Sequence, residues 1–459
     1  MNKKIDEFNN ELVKKKIAVI GAGVSNKPLL GYLGDLECDI TLFDKKELNV
    51  FDEDVLNIIN KYNIKTSLGD NYLESLVGFD IIFRSPSFLP TNVYLKKEIE
   101  RGALVTTEIE QVIRLAPCKI IGVTGSDGKT TTTTLIYKLL SGLGYNTYVG
   151  GNIGTPLFTK IKDMKSDDIV VLELSSFQLM DMKVSPNISV ITNISPNHLD
   201  IHGSYEEYIN AKKNIFLNQN KNDIVVLNYD DELVKNFNKD AIGSVRYFSS
   251  KYDLKDSYIL KDNYIKYNDE IIFDVRDLKI KGRHNYINIC TALNAIKDYI
   301  ELDKIKEIIT DFGGVSHRIE FIREINSVKW YNDSASSSPS RTIAGLNAFS
   351  EKVVLIAGGY DKNIPYDPLA EPILNKVSKL ILFGDTKNKI YDAVMKLKKQ
   401  RDSDLQIYVM DTLDEVIEVA YQVSIPGEVV LFSPASASFD MFKNAYQRGD
   451  IFKEKVNKL

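Results

Sequence analysis

Nine short apolar runs, rich in β-branched residues, punctuate the chain: "KIAVIGAG" (16–23), "DITLFD" (39–44), "FDIIFRS" (79–85), "CKIIGVTG" (118–125), "DIVVLELS" (168–175), "ISVITNIS" (188–195), "KVVLIAGG" (352–359), "SKLILFGD" (378–385) and "GEVVLFSPA" (427–435). Longer helix-like stretches separate most of them, a pattern that predicts an α/β fold with mostly parallel sheets. Each run closes on small or polar residues. In open α/β sheets ligands gather beyond the carboxyl ends of strands, so several of these ends are expected to be sites.

Glycine turns follow Ile20, Val123 and Ile356, which suggests three beginnings. At 459 residues the chain has room for that many domains, at a prior of roughly 150 residues each. The boundaries are placed near Glu110 and Gly314, giving segments 1–110, 111–314 and 315–459.

Composition narrows the classes. Hydrophobic residues at 44% and charged residues at 26% are ordinary for a soluble globular chain. The net charge of −5 argues against a nucleic-acid-coating surface. Cys38, Cys118 and Cys290 show no CxxC spacing, so neither a disulfide framework nor a zinc site is expected, and a reducing cytoplasm fits. "KKKIAVIGAGV" imitates a signal segment but is too short and glycine-rich, and no apolar run reaches the ~18 residues of a membrane span.

The most specific chemistry lies in "GVTGSDGKTTTTTL". Val123 stands where the common G-x-x-x-x-G-K-[ST] loop has its first glycine, yet strand, glycine loop and helix are all present. Backbone N–H groups of Gly125, Ser126, Asp127 and Gly128 can cradle phosphates at a helix N-terminus, followed by Thr131. Lys129 can reach the outer phosphates, and the Thr130 hydroxyl can ligate Mg²⁺. The plainer reading is a glycine turn beside a chance lysine.

A magnesium nucleotide also needs a carboxylate, and Glu173 ends the run "DIVVLELS". Farther on, "ITNISPNHLDIHGSYEEYINAKKNIF" carries His198, a metal ligand or a structural hydrogen-bonder, and then Lys212 with Lys213 beside it for comparison. At the N-terminus "VIGAGVSN" supplies Gly21 and Gly23 of a dinucleotide fingerprint, but Asn26 replaces its third glycine. Asp44 lies about twenty residues on, where an acid would meet a ribose.

Taken in order, "GVTGSDGKTTTT", "GGNIGTP", "LELSSFQL", "NISPNHLD", "AKKNIF", "GRHNYINICTA", "HRIE", "NDSASSSP" and "LFSPASASFDMFKNAYQRGDIF" resemble the Mur ligases of peptidoglycan synthesis, most of all those that add D-glutamate. The family's loop is T-G-x-[ND]-G-K-[ST], which accounts for Val123, and the resemblance spans the whole chain. It implies a Rossmann-like N-terminal domain, a central P-loop ATPase-like domain and a Rossmann-like C-terminal domain, acting as a cytoplasmic monomer.

The resemblance also implies ATP with two Mg²⁺ between the central and C-terminal domains, with Lys129, Thr130, Glu173, His198 and a carbamylated Lys212 around them. A CO₂ adduct would turn an ammonium that repels Mg²⁺ into a carboxylate. Asn285, Asn288, Arg318 and Asp333 match positions holding adenine, ribose or phosphate. Val24, Ser25, Asp44, Lys45, Ser85 and Asn152 match contacts to UDP-N-acetylmuramoyl-L-alanine, and Lys362 and Ser438 match contacts to D-glutamate. Relatives commonly have N-D-S-K-A-T where Ala335 and Ser337 stand here, so Arg341 is a candidate replacement cation.

The expected reaction is attack of the L-alanine carboxylate on the γ-phosphate, then of the D-glutamate amine on the acyl phosphate, shielded from water by domain closure. Rival readings are another Mur ligase, a folylpolyglutamate synthase, a non-enzymatic nucleotide sensor, and a dehydrogenase resting on "GAGVSN" alone.

Overall fold

The computed structural model describes residues 3–196, 199–401 and 403–459, so His198 lies outside the described residues. Contacts divide the chain into two compact units, Met1–Phe273 with Ile287–Lys306, and Asp274–Tyr286 with Glu307–Leu459.

The first unit holds two parallel sheets. In one, β1 (Lys16–Ile20), β2 (Asp39–Asp44), β3 (Lys65–Leu68), β4 (Ile81–Arg84) and β5 (Leu104–Thr106) run in the order β3-β2-β1-β4-β5. In the other, β6 (Lys119–Thr124), β7 (Thr147–Gly151), β8 (Ile169–Glu173), β9 (Ile188–Ile191), β10 (Ile224–Asn228) and β11 (Ser244–Phe248) run β11-β10-β9-β6-β8-β7. Strands β1, β6 and β8 are buried almost throughout, which is why their sequences read as continuous apolar runs. A small sheet of β12 (Tyr258–Lys261), β13 (Tyr264–Tyr267) and β14 (Glu270–Asp274) follows.

The first two sheets share one apolar core. Phe158, in a short 3₁₀ turn of the central segment, is 1% exposed and meets Phe8, Tyr32 and Phe83 edge-on at 6.3, 5.1 and 6.5 Å. Fifty residues earlier in the chain, Glu108 accepts the backbone N–H groups of Leu157 and Phe158 at 3.1 and 2.8 Å. Burial pushes that carboxyl up to about 7. Phe158→Ala removes the shared ring and should cost about 3–5 kcal/mol of stability, read by calorimetry as a lower melting temperature.

The second unit is built on β15 (Glu320–Ile325), β16 (Val328–Asn332), β17 (Val353–Gly358), β18 (Val377–Phe383), β19 (Gln406–Val409) and β20 (Val429–Phe432), in the order β15-β16-β20-β17-β18-β19. All neighbours are parallel except the β15–β16 hairpin, whose turn residues Asn326 and Ser327 both take positive φ, 51° and 61°. Strand order reverses beside β17 and β20, the place where such sheets open a crevice. Among the described residues, no helix is long and apolar enough to cross a membrane.

Candidate active site

Strand β6 delivers the chain into the glycine loop, and the helix Lys129–Gly142 leaves it. A run of five threonines is a poor helix former, so packing holds this helix, with Thr131, Thr132, Thr133, Leu135 and Ile136 buried. Gly128 sits at its N-cap with φ +79°, and a Cβ there would lie 2.5 Å from Asn288 Oδ1. A Cβ on Gly125 would lie 1.9 Å from Thr192 Oγ1, so the loop requires glycine at both positions.

The loop is anchored from the end of β9. Thr192 Oγ1 donates to Asp127 O at 2.6 Å, while Asp127 N donates to Asn193 Oδ1 at 3.0 Å and Ser126 N to Asn193 O at 2.9 Å. Ser126 Oγ accepts from Ser195 N at 2.9 Å and lies 3.0 Å from Tyr208 OH. Thr192, Asn193 and Tyr208 are functional scaffolding that motif reading does not single out; only the Asn at the end of "ITN" hints at it.

Two lysines converge on one carbonyl. Lys129 Nζ donates to Gly125 O at 2.9 Å and Ser126 O at 3.0 Å, and Lys212 Nζ donates to the same Gly125 O at 2.8 Å. Lys212 is 2% exposed on the helix Tyr205–Leu217. Burial, then the Lys129 charge, lowers its amine to about 7. Lys213, one residue on, faces away and pairs with Asp240 at 2.7 Å.

Glu173 closes β8 and is 1% exposed. Its Oε1 accepts from Asn152 Nδ2 at 2.8 Å, and its Oε2 is buried with no hydrogen-bond partner. A carboxylate oxygen held in that state is costly unless a cation completes it. Among the described residues no three His, Cys, Asp or Glu side chains form a ready-made metal cluster. One carboxylate beside a phosphate loop instead suits Mg²⁺, which keeps few protein ligands and takes the rest from phosphates and water. The donor set therefore fits the metal expected at Thr130 and Glu173.

The other expected residues fall as follows. Gly21, Asp44, Lys45, Ser85, Ser87 and Phe88 line a cleft of about 360 Å³ beyond the first sheet. Asp44 uses its carboxylate on Ala22 N and Lys46 N, both at 2.9 Å, shaping the glycine turn. Val24, exposed, and Ser25, half-buried, occupy that turn. Asn288 is buried beside Gly128, whereas Asn285, Arg318 and Asp333 belong to the second unit. Asn285 Nδ2 donates to Lys281 O at 2.7 Å.

Asp333 is committed internally. Its carboxylate accepts from Ser336 Oγ at 2.6 Å, Ser433 Oγ at 2.7 Å and Ile319 N at 3.3 Å, and burial raises it to about 6. Lys362, exposed, and Ser438, 2% exposed, follow β17 and β20, whose ends are tied by Tyr360 N donating to Ala437 O at 3.0 Å. Fully buried Arg448 clasps two loops there, donating to Ser334 O at 2.8 Å and Ala437 O at 2.7 Å. Arg341 donates to Ala335 O at 3.3 Å.

Comparison with known proteins bears on the family and the fold. Residues 123–296 match the Mur ligase middle domain, and residues 317–436 match the Mur ligase glutamate ligase domain. The chain is 47% identical over 459 residues, all of both chains, to UDP-N-acetylmuramoylalanine–D-glutamate ligase of Clostridium botulinum. UDP-N-acetylmuramate–alanine ligase of Thermotoga maritima aligns over 97% of this chain and 99% of its own, with TM-score 0.60 and 20% identity. The MurF ligase of the same organism, solved in complex with ADP, aligns over 83% and 90%, with TM-score 0.55 and 20% identity. These two likenesses support the three-domain α/β fold. By its full-length identity and its two matched domains, the chain belongs to the Mur ligases, as an enzyme of the UDP-N-acetylmuramoylalanine–D-glutamate ligase family.

Proposed function

We propose that the protein uses ATP to join D-glutamate to the L-alanine carboxylate of UDP-N-acetylmuramoyl-L-alanine, in the cytoplasm and as a monomer. The observation that carries this reading is the convergence of Lys129 and Lys212 on Gly125 O, inside the loop, in the same unit as the partnerless Glu173 Oε2. Segments 1–110, 111–314 and 315–459 would serve the uridine end, the nucleotide and the amino acid respectively.

A carboxylate is a poor acyl donor, so it must first be activated. Its oxygen attacks the γ-phosphorus of ATP, the bond to the β-γ bridging oxygen breaks, and ADP leaves. Lys129 neutralises charge gathering on the transferred phosphoryl group, and the loop N–H groups hold the chain of phosphates. Thr130, Glu173, His198 and a carbamylated Lys212 would hold two Mg²⁺, which supply further neutralisation of phosphate and carboxylate oxygens. The D-glutamate amine then attacks the activated carbonyl, its proton is lost, and inorganic phosphate departs. Lys362 and Ser438 would orient the amino acid, with Arg341 in place of the cation that Ala335 lacks.

The test is phosphate release by purified protein with MgATP and UDP-N-acetylmuramoyl-L-alanine, comparing D-glutamate, L-glutamate, L-alanine and L-lysine. Turnover with D-glutamate alone is expected. Turnover with a different amino acid would keep the ligase and overturn the acceptor; none at all would overturn the reading.

A further inference from the structure

Strand β4 ends on an arginine in an otherwise apolar run, and Arg84 is fully buried. It stands in register with Ile20 of β1, the residue before the Gly21 turn. Its guanidinium faces two stretches of chain far apart in sequence. On one side Nη1 donates to Ser85 O at 3.4 Å and Phe88 O at 3.2 Å, the carbonyls of the turn that walls the cleft of the first sheet. Phe88 N donates back to Ser85 O at 3.0 Å, so the arginine closes a turn that is already compact.

On the other side Nη2 donates to Phe177 O at 3.4 Å, Nε donates to Asp181 Oδ2 at 3.2 Å, and Nη2 pairs with Asp181 Oδ1. These acceptors lie in the segment that leaves Glu173. Ser175 and Gln178 cap its short helix reciprocally, and Thr124 Oγ1 donates to Leu174 O at 2.7 Å, tying it to the strand before the phosphate loop. Arg84 is thus a polar link between the wall of the first sheet's cleft and the segment that leaves the carboxyl end of β8.

Stability does not call for such a group. Arg84 is fully buried while the Asp181 side chain is 26% exposed, so a half-solvated partner offsets only part of the cost of burying the guanidinium, and its presence argues for fixing geometry. A planar fork with five N–H groups can serve both stretches at once; a lysine, with one nitrogen, cannot.

We propose that Arg84 is a positioning residue that keeps the Ser85–Phe88 wall and the Phe177–Asp181 segment at a fixed separation, so that the uridine end and the reacting carboxylate of one substrate are seated together. The proposal rests on the function given above. In this proposal Arg84 and Asp181 act through the segments they hold, not on a reacting atom.

Arg84→Lys and Asp181→Asn are to be compared with wild type by initial rates and by calorimetric titration with UDP-N-acetylmuramoyl-L-alanine and, separately, MgADP. The expected result is a KM for the UDP substrate raised about tenfold, a matching loss of affinity for it, a smaller fall in kcat, and unchanged MgADP binding. Equal loss of both ligands would make the pair merely structural and overturn the proposal, as would an unchanged KM. Arg84→Met combined with Asp181→Leu, which removes both partners so that no charge is left unmatched, should lower the melting temperature only modestly and lose the same affinity; a collapsed fold there, with Arg84→Lys normal, would also overturn it. Wild-type protein inert toward the UDP substrate would sink the function itself, an outcome separate from any of these.

Discussion

Lys212→Ala is expected to lower kcat by about 10³-fold, and added acetate or propionate to restore part of the loss. The argument begins with charge. Two ammonium groups cannot comfortably share Gly125 O, and the one that yields is the more buried, with its amine lowered to about 7. Near neutral pH a large fraction of Lys212 is therefore unprotonated. A neutral amine can attack CO₂: the nitrogen lone pair forms the N–C bond, a proton leaves, and the side chain becomes an anion facing Lys129. Truncation leaves a cavity that a small carboxylate can enter. Rescue by acetate separates this role from that of a plain ammonium, which no carboxylate would replace.

The pH dependence follows in sign. Below about pH 7 the Lys212 amine protonates, the proposed CO₂ adduct would be lost, and wild-type rate should fall, with bicarbonate partly offsetting the fall. The acetate-rescued variant should lack that limb. Lys213→Ala, whose ammonium is engaged with Asp240, should behave as wild type. A Lys212→Ala enzyme with full activity would remove the carbamate from the reaction.

The second large effect is expected at Lys129, where alanine should reduce kcat/KM for ATP by about 10²–10³-fold with little change in melting temperature. The lysine donates to Gly125 O and Ser126 O, but Thr192, Asn193, Ser195 and Tyr208 hold the loop independently of it. Removing the ammonium would subtract charge where, in the proposed reaction, phosphoryl oxygens gain it, while those other contacts keep the cradle standing. Rates of phosphate release over a range of MgATP would show the loss mainly in kcat, since the charge matters most in the transition state. A loss confined to KM would mean that Lys129 only binds the nucleotide.

The sequence carried the parallel framework because buried parallel strands are apolar on both faces. All nine runs become strands, and "DIVVLN", which becomes β10, bears the same signal as β8. Edge strands escape it. β3, "KTSL", and β19, "QIYV", have no fully buried residue, and the β15–β16 hairpin turns through Asn-Ser without the glycine that usually marks such a turn. At the site, Gly125, Gly128 and Lys129 are legible because their chemistry is local. Asn193 and Tyr208 are not, since only the fold brings them to Ser126 from 67 and 82 residues away. Asp333 shows the opposite limit: a motif match marks the position, while three hydrogen bonds decide that its carboxylate organises the Ser336 and Ser433 loops.

The aromatic junction around Phe158 bears on how such enzymes can be recombined. Phe8, Tyr32 and Phe83 come from the first sheet's segment, but the ring they enclose comes from the next one. A chimaera exchanged at the nominal boundary near Glu110 would inherit the first sheet and lose the ring at the centre of its shared core, besides separating Glu108 from the Leu157 and Phe158 amides. Module exchange in this family therefore has to carry the Phe158–Asp163 turn along with the first sheet, or rebuild all four aromatic positions together.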